Sequence, residues 1–182
     1  MRIIAGSARG RRLKAPDTDA TRPATDRVRE AVFSSIGTWV EDADVADLYA
    51  GTGSFGLEAL SRGARSAVFV ENARKALAVL KDNIETLGLG GTLVSSTVVD
   101  YLNRSKDLFD LVFMDPPWPL ETEQMEVEMA LLDRLLRPDG EVVVSRRHTD
   151  QIPSPPKTWR LAAEKFYGDT RILRYEKVKQ EQ

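Results

Sequence analysis

The segment Asp115-Pro116-Pro117-Trp118 combines a carboxylate, two prolines and a large aromatic ring. It directly follows the apolar residues 111–114, which predict a strand that is buried on both faces of a sheet. Because proline donates no backbone hydrogen bond and disfavours a helical residue before it, the strand should end here in a stiff, extended turn. Open α/β sheets bind ligands at the carboxyl ends of their strands. The segment therefore predicts a site that displays a carboxylate, a free carbonyl and an aromatic face, a combination suited to a planar amine.

A second candidate site is the glycine-rich turn at residues 51–56, which lies between a predicted strand over 45–50 and a short helix over 57–62. Glycines let the backbone approach a ligand closely at a helix amino terminus. Another predicted strand, over 67–71, ends in Glu71, 20 positions after Gly51, where a carboxylate can accept hydrogen bonds from ribose hydroxyls. This order of elements predicts an adenosine-type cofactor and leaves its identity open.

A third predicted strand, over 93–99, is followed by Asp100. The carboxylate of Asp100 would then lie at the same edge of the sheet as the glycine turn. It is expected either to meet the adenine amino group or to cap the next helix.

The amino-terminal segment is strongly basic. Residues 1–16 contain five basic residues and no acid, whereas the whole chain has a net charge of -2, so the remainder carries -7. Gly6 and Gly10 bracket a turn between two short predicted strands, which together predict a basic β-hairpin over 1–16. One domain is predicted to follow over 17–182. Polyanion binding is expected on the basic residues of this arm, and Arg22 and Arg29 further on suit either phosphate contacts or solvated ion pairs. The basic residues of the arm are Arg2, Arg9, Arg11, Arg12 and Lys14.

The rest of the chain alternates helices and strands. Helices are predicted from Thr25 or Asp26 onward, over 73–88 and over 121–136. The last of these should bury Val127, Leu131, Leu132 and Leu135 and expose an acidic face formed by Glu121, Glu123, Glu126 and Glu128. A fifth strand over 141–145 and a closing hairpin, over 161–167 and 171–177, complete the chain. This order of elements differs from that of the dinucleotide dehydrogenases because it has no sixth crossover helix. It favours a sheet whose last strand is antiparallel.

Composition excludes several classes of protein. A chain of 182 residues is long enough for one domain with its own core. It contains no cysteine, which excludes disulfide scaffolds, thiolate metal sites and mechanisms that need a cysteine nucleophile. The sequence lacks a run of about 18 apolar residues, and its first six residues lack a signal-peptide core. We therefore expect a cytoplasmic monomer without a metal ion or membrane contact.

Two motifs and the amino-terminal sequence carry a resemblance to a known family. The motifs are Asp47-Leu48-Tyr49-Ala50-Gly51-Thr52-Gly53 and Asp115-Pro116-Pro117-Trp118. With them the chain resembles the class I S-adenosylmethionine-dependent methyltransferases. Its opening, RIIAGSARGRRLKAP followed by TRPATDRVREAVFSSI, is similar to that of the bacterial family that methylates guanine N2 of 16S ribosomal RNA. Trp118 stands where that family more usually has tyrosine or phenylalanine, and this difference keeps an aromatic face for stacking.

The resemblance implies a fold, a cofactor and a substrate. The fold would be a Rossmann-like α/β fold with a seven-stranded, mostly parallel sheet, an antiparallel last strand and the amino-terminal β-hairpin. The cofactor would be S-adenosylmethionine, with S-adenosylhomocysteine as product, and the substrate would be 16S ribosomal RNA within a partly assembled or complete 30S subunit. The residues implied in cofactor binding are Thr25, Asp47, Tyr49, Ala50, Gly51, Gly53, Gly56, Glu71, Asn72, Asp100, Tyr101 and Asp115.

The catalytic hypothesis concerns an exocyclic amine, whose lone pair is delocalised into the base. Attack on a methyl group requires that this amine be drawn towards tetrahedral geometry. We predict that the Asp115 carboxylate and the Pro116 carbonyl accept its two N–H bonds while Trp118 stacks on the extruded base. Pro117 keeps the turn rigid, and either Asp115 or water takes the surplus proton.

Other acceptors and other classes of protein stay open on the residues alone. Adenine N6, cytosine N4 and a protein glutamine amide also present a planar amine, so guanine N2 depends on the resemblance. Methylation at C5 of a pyrimidine is excluded because it generally needs a cysteine adduct. A non-catalytic RNA-binding assembly factor could keep the same fold. An NAD-type oxidoreductase could use the same glycine turn, but it would leave the segment from Asp115 to Trp118 unexplained.

Overall fold

A computed structural model describes residues 1–16 and 24–179, which are built around a seven-stranded sheet. The strands are β1 (Asp44–Leu48), β2 (Ser66–Glu71), β3 (Thr92–Ser95), β4 (Phe109–Met114), β5 (Leu136–Arg147), β6 (Trp159–Tyr167) and β7 (Thr170–Lys177). Their order in the sheet is β3-β2-β1-β4-β5-β7-β6. Strands β1 to β5 are parallel, whereas β7 pairs antiparallel with both β5 and β6. The predicted fold class, with an antiparallel last strand, is confirmed.

Helices cover both faces of this sheet. They are α1 (Asp26–Ile36), α2 (Ser54–Ser61), α3 (Arg74–Leu87), α4 (Val98–Arg104) and α5 (Thr122–Leu132), with 3-10 turns at Gly37–Val40 and Asp133–Leu135. Helices α1 to α3 form one hydrophobic core with the sheet, and α4 and α5 form the other. Because both faces are covered, β4 is apolar and buried from Leu111 onward. Within the described ranges, no helix is long and apolar enough to cross a membrane.

Residues 1–16 fold back on themselves and pack on α2. Arg2 pairs antiparallel with Arg12, and the apolar side chains of the segment join the core beneath α1 and α2. The buried carboxylate of Glu58 accepts the backbone N–H bonds of Ile4 and Ala5, at 2.8 and 3.0 Å. The segment is therefore attached through its backbone as well as through apolar contacts. The domain boundary after residue 16 stays a prediction, since residues 17–23 lie outside the described ranges.

The third strand is shorter than predicted, because β3 ends at Ser95 and the chain then enters α4. The Thr97 hydroxyl accepts the backbone N–H of Asp100 at 3.1 Å and caps this helix. Val98 is buried in the second core, so capping and packing outweigh the strand preference of its branched side chain. The prediction of a strand over 93–99 is wrong after Ser95. Asp100 lies in the first turn of a helix and not at a strand end.

Helix α5 buries only part of the predicted face, since Leu132, and Leu135 in the 3-10 turn that follows, are buried as predicted. Met125 and Met129 are buried, whereas Val127 is 52% exposed. Glu128, predicted to lie on a solvated face, is only 2% exposed. The Tyr49 hydroxyl, which lies 2.6 and 2.7 Å from the two carboxylate oxygens, donates its one proton to this buried carboxylate and compensates for its burial. The spacing of apolar residues cannot identify a buried helix face when one of the buried positions is a glutamate.

Candidate active site

The two predicted motifs meet at one edge of the sheet. Strands β1 and β4 are parallel neighbours, with Leu48 opposite Met114. The chain leaves β1 into the glycine turn and leaves β4 into Asp115. The strand order reverses between β1 and β4, which is the position at which open α/β sheets bind ligands.

A cavity of about 420 Å³ opens beside Asp115. Its lining includes Thr25, which precedes α1, Trp118 in the turn after β4, and Ser145 of β5, together with residues 166–170 at the turn between β6 and β7. Small-molecule sites usually have volumes of about 300–1,000 Å³, so the cavity is large enough for a single base. Thr25 also caps α1 by accepting the N–H of Val28 at 3.3 Å.

Asp115 is partly buried, and burial raises its pKa to about 6. A hydrogen bond with Ser145 acts in the opposite direction. Pro116 is buried and Pro117 is exposed. The Pro117 carbonyl accepts the backbone N–H of Leu120 at 3.0 Å, which closes the turn after the strand. A carboxylate with this pKa is mostly ionised at neutral pH and still accepts a proton more readily than an ordinary aspartate.

Trp118 is partly exposed on the lining of the cavity. The guanidinium carbon of Arg147, at the end of β5, lies 4.7 Å from the centre of its ring. One face of the indole is thus covered by a cation, and a stacked base would use the other. Sequence reasoning missed Arg147. The available signal was its place at the end of β5, the strand next to β4.

The glycine turn is held in place by two carboxylates. Asp47 accepts the N–H of Gly56 at 2.8 Å, and Glu71 accepts the N–H of Gly51 at 2.8 Å. Burial raises the pKa of Asp47, and its side chain is closed to solvent. A direct contact of the Asp47 side chain with a cofactor is therefore contradicted, and its role is to position the turn. Glu71 remains partly exposed while its other oxygen accepts the N–H bond of Asn72 at 2.9 Å.

The three glycines predicted to bind the cofactor differ in their surroundings. Gly51 has φ +56°, and an added Cβ would come no closer than 3.9 Å to another residue, at the Tyr49 carbonyl. At Gly53 an added Cβ would lie 2.5 Å from the Leu80 side chain, and at Gly56 it would lie 2.4 Å from the ring of Phe69. The Phe69 ring favours glycine at position 56 and the φ of +80° favours it at position 53, whereas Gly51 leaves space for a ligand; backbone contacts of Gly53 and Gly56 with the cofactor stay predictions.

Two predicted cofactor ligands use their side chains elsewhere. The Tyr101 hydroxyl donates to Asp107 at 3.0 Å, and its ring is buried in the second core, so a side-chain contact with the cofactor is contradicted. The Tyr49 hydroxyl is occupied by Glu128, which leaves only the backbone of Tyr49 available at the turn. Ala50 is buried in the turn, whereas Asn72 and Asp100 are exposed at the carboxyl edge and stay candidates.

The basic residues separate into structural and exposed ones. Arg29 is fully buried and donates to Asp26 at 2.7 Å and to the Arg2 carbonyl at 2.6 Å, so its predicted contact with RNA is wrong. Arg11 donates to carbonyls at the end of α3, including that of Leu87 at 2.9 Å. The exposed members of the set are Arg2, Arg9, Arg11, Arg12 and Lys14, of which Arg11 is held by these carbonyls and Lys14 pairs with Asp82. Arg22 lies outside the described residues.

The sheet order, with an antiparallel strand between β5 and β6, and the acidic, proline-rich turn after β4 define a class I methyltransferase. The chain matches the family model described as "Conserved hypothetical protein 95" over residues 1–176, and it belongs to this family.

Individual relatives agree with this assignment. The protein named Ribosomal RNA small subunit methyltransferase D from Escherichia coli strain K12 is 33% identical over 181 residues, which cover 99% of this chain and 91% of that protein. Its namesake from Haemophilus influenzae is 31% identical, with 92% and 89% covered. The solved structure of the Escherichia coli protein yhhF is similar with a TM-score of 0.88 and 33% identity, covering 99% of both chains.

Proposed function

We propose that the protein transfers a methyl group from S-adenosylmethionine to the exocyclic N2 of a guanine in 16S ribosomal RNA. The observation that carries the proposal is the position of Asp115 and Trp118 on a cavity of about 420 Å³, at the end of β4, the strand that pairs with β1, which leads into the glycine turn. The names of the relatives from two bacteria support ribosomal RNA of the small subunit as the class of substrate.

Gly51, Glu71, Asn72 and Asp100 are the residues proposed to hold the cofactor. Gly51 has open space where a side chain would be, and Asn72 and Asp100 are exposed. The Glu71 carboxylate can accept one ribose hydroxyl in addition to its backbone partners, since Oε1 already accepts the N–H bonds of Asn72 and Ala73 and Oε2 accepts only that of Gly51. When bound, the cofactor supplies a methyl group on a sulfonium, which is electrophilic without help from the protein. The protein then needs only to position the amine and to receive its proton.

Asp115 and the Pro116 carbonyl accept the two N–H bonds of the amine in this mechanism. The pKa of about 6 keeps the Asp115 carboxylate mostly ionised at neutral pH, and Ser145 holds it by a hydrogen bond. Trp118 stacks on the extruded base while Arg147 covers the other face of its ring. The surplus proton passes to Asp115 or to water. Most of the rate enhancement then comes from holding the amine in line with the methyl group.

The substrate is proposed to be a partly assembled or complete 30S subunit, and the protein a cytoplasmic monomer. Residues 17–182 carry a net charge of -7, because the chain has -2 and residues 1–16 have +5. An acidic body with one small basic arm is poorly suited to naked RNA, since the phosphate backbone dominates nonspecific affinity. Ribosomal proteins in the subunit would help to present the base.

Tritiated methyl transfer to small subunits from a strain that lacks this enzyme tests the proposal. We expect the label in N2-methylguanosine after digestion to nucleosides with the wild-type protein. Asp115→Ala should transfer none while it still binds S-adenosylhomocysteine in a fluorescence titration. Label in N6-methyladenosine or N4-methylcytidine would overturn the choice of base. RNA binding without any transfer would favour an assembly factor, and binding of NAD in place of S-adenosylhomocysteine would favour an oxidoreductase.

A further inference from the structure

We propose that the turn between β6 and β7 is a second RNA contact, in which Phe166 stacks on an unpaired nucleotide next to the target base. This inference rests on the proposed function, because it assumes that an extruded base occupies the cavity at Asp115. It assigns to the turn a role in holding the flanking RNA and no part in the chemistry.

Phe166 is an exposed aromatic residue on the wall of the catalytic cavity. Its side chain is 56% exposed, more than any other large apolar side chain of the described residues. Single exposed apolar residues are common on protein surfaces, so exposure alone indicates little. Phe166 lines the same cavity as Asp115 and Trp118, however, and this position points to a ligand.

Arg171 holds the Phe166 ring in place from the facing strand. The two residues are directly opposite in the antiparallel pair, and the guanidinium carbon lies 5.2 Å from the centre of the ring. Arg171 is itself fixed, since it donates to the Asp150 carbonyl at 3.0 Å and lies 3.2 Å from the Glu164 carboxylate. An immobilised ring loses little side-chain entropy when a ligand stacks on it.

The cavity therefore contains two aromatic rings that are each covered on one face by an arginine, Trp118 with Arg147 and Phe166 with Arg171. Unpaired bases stack on aromatic side chains largely irrespective of sequence. If the target base stacks on Trp118, a neighbouring nucleotide is the part of the substrate that can reach the Phe166 ring.

A basic residue at the same cavity can take the phosphate of the stacked nucleotide. Arg27 of α1 is exposed and lines the cavity. A nucleotide with its base on Phe166 can therefore place its phosphate towards α1.

Steady-state methyl transfer to small subunits lacking the modification tests this inference. Phe166→Ala should raise KM at least about tenfold, equivalent to about 1.4 kcal/mol, with little change in kcat. Phe166→Leu should show the same loss because leucine has no π face, whereas Phe166→Tyr should keep the wild-type KM. Leu161→Ala is the matched control, since Leu161 is 44% exposed on the same strand. It lies about 16 Å from Phe166 along β6.

The outcomes separate this inference from the proposed function. No methyl transfer by the wild-type protein would contradict the proposed function. An active wild type with Phe166→Ala indistinguishable from Leu161→Ala would overturn the stacking contact alone. A wild-type KM for Phe166→Leu would show that the ring makes a general apolar contact, as with a protein of the subunit, and would also overturn it. Thermal unfolding of each variant shows that the fold is kept.

Discussion

Asp115 is subject to two opposing requirements. Burial at the carboxyl end of β4 favours its protonated form, whereas the proposed mechanism requires a carboxylate that accepts N–H bonds from an amine. A pKa of about 6 satisfies both, because the group is mostly ionised at neutral pH and remains a useful proton acceptor. The pH dependence of activity and of stability should therefore both report on this residue.

The pH profile of kcat/KM should follow the ionisation of Asp115. Activity is expected to rise with pH through a midpoint near 6 and then to level off, since the carboxylate is the active form. Ser145→Ala removes a hydrogen bond that lowers this pKa, so the midpoint should move to higher pH. Initial rates across about pH 5 to 8 provide the measurement. A flat profile in the wild type, or an unmoved midpoint in Ser145→Ala, would contradict the assigned role.

Asp115→Asn should stabilise the protein at neutral pH while it abolishes transfer. The native state holds a proton that the unfolded chain releases, so wild-type stability falls as pH rises from 3.8 to about 6. The amide avoids this loss. With allowance for partial exposure to solvent, we expect a gain of about 1 kcal/mol at pH 7, or about 2–4 °C in Tm. Thermal unfolding at pH 4 is the control, where the difference should vanish. A lower Tm than wild type at pH 7 would contradict the destabilisation that the raised pKa of Asp115 predicts.

The sequence was sufficient to place Asp115 but not Arg29. A strand that ends in two prolines defines its own boundary, so the position of Asp115 followed from local chemistry. Arg29 lies close to Asp26 in sequence and was compatible with a surface ion pair. Its burial depends on the carbonyls of Arg2 and Ser54, which come from distant parts of the chain. Contacts of this kind have no local signal.

At the scale of elements, Glu58 of α2 attaches the amino-terminal segment to the body. Its buried carboxylate accepts two backbone N–H bonds from that segment and the side chain of Arg62 at 2.7 Å. Arg29 lies 3.9 Å away and is also buried. Removing the carboxylate would leave several donors unpaired at once.

Glu58→Ala should lower the free energy of unfolding by about 3–5 kcal/mol, because it leaves two N–H groups without an acceptor and removes the buried carboxylate that lies 3.9 Å from the buried Arg29 guanidinium. Glu85→Ala is the matched control. Glu85 is exposed and pairs with Lys81 at 3.9 Å, so its loss should cost less than about 1 kcal/mol. Urea denaturation measures both variants, and limited proteolysis should cut residues 1–16 first in Glu58→Ala. Equal stability of the two variants would show that Glu58 does not attach the segment.

Elements with strong local signals were predicted, and those defined by tertiary contacts were not. The first βαβ unit and β4 carry glycine and proline boundaries, and the structure has them near their predicted positions. Val98 has strand preference but follows the cap Thr97, and only packing in the second core selects the helix. The inward face of α5 was only partly predicted, because the partner of its buried Glu128 is Tyr49, which lies in the turn after β1. The strand ends that form the site were therefore easier to predict from the sequence than the buried faces of the helices around it.

At the scale of the whole molecule, several basic residues of the predicted RNA-binding set are already engaged within the fold. Arg29 and Arg11 are engaged by carbonyl groups within the fold, and Lys14 pairs with Asp82. Arg9 and Arg12 remain exposed on the amino-terminal segment, in a molecule of net charge -2. Electrostatic attraction to RNA should therefore be modest and concentrated on this segment.

Charge reversal on this segment should lower the affinity for the substrate and make that affinity less dependent on salt. For Arg9→Glu with Arg12→Glu, the slope of log affinity against log salt should decrease by about 1.4, since each lost phosphate contact on single-stranded RNA accounts for about 0.7. Lys157→Glu with Arg160→Glu makes the same change in net charge at exposed positions around the start of β6, away from the carboxyl edge, and should leave the slope unchanged. Binding to small subunits at several salt concentrations measures both. If the two double variants change the slope equally, net charge governs association and the amino-terminal segment makes no specific contact with phosphate.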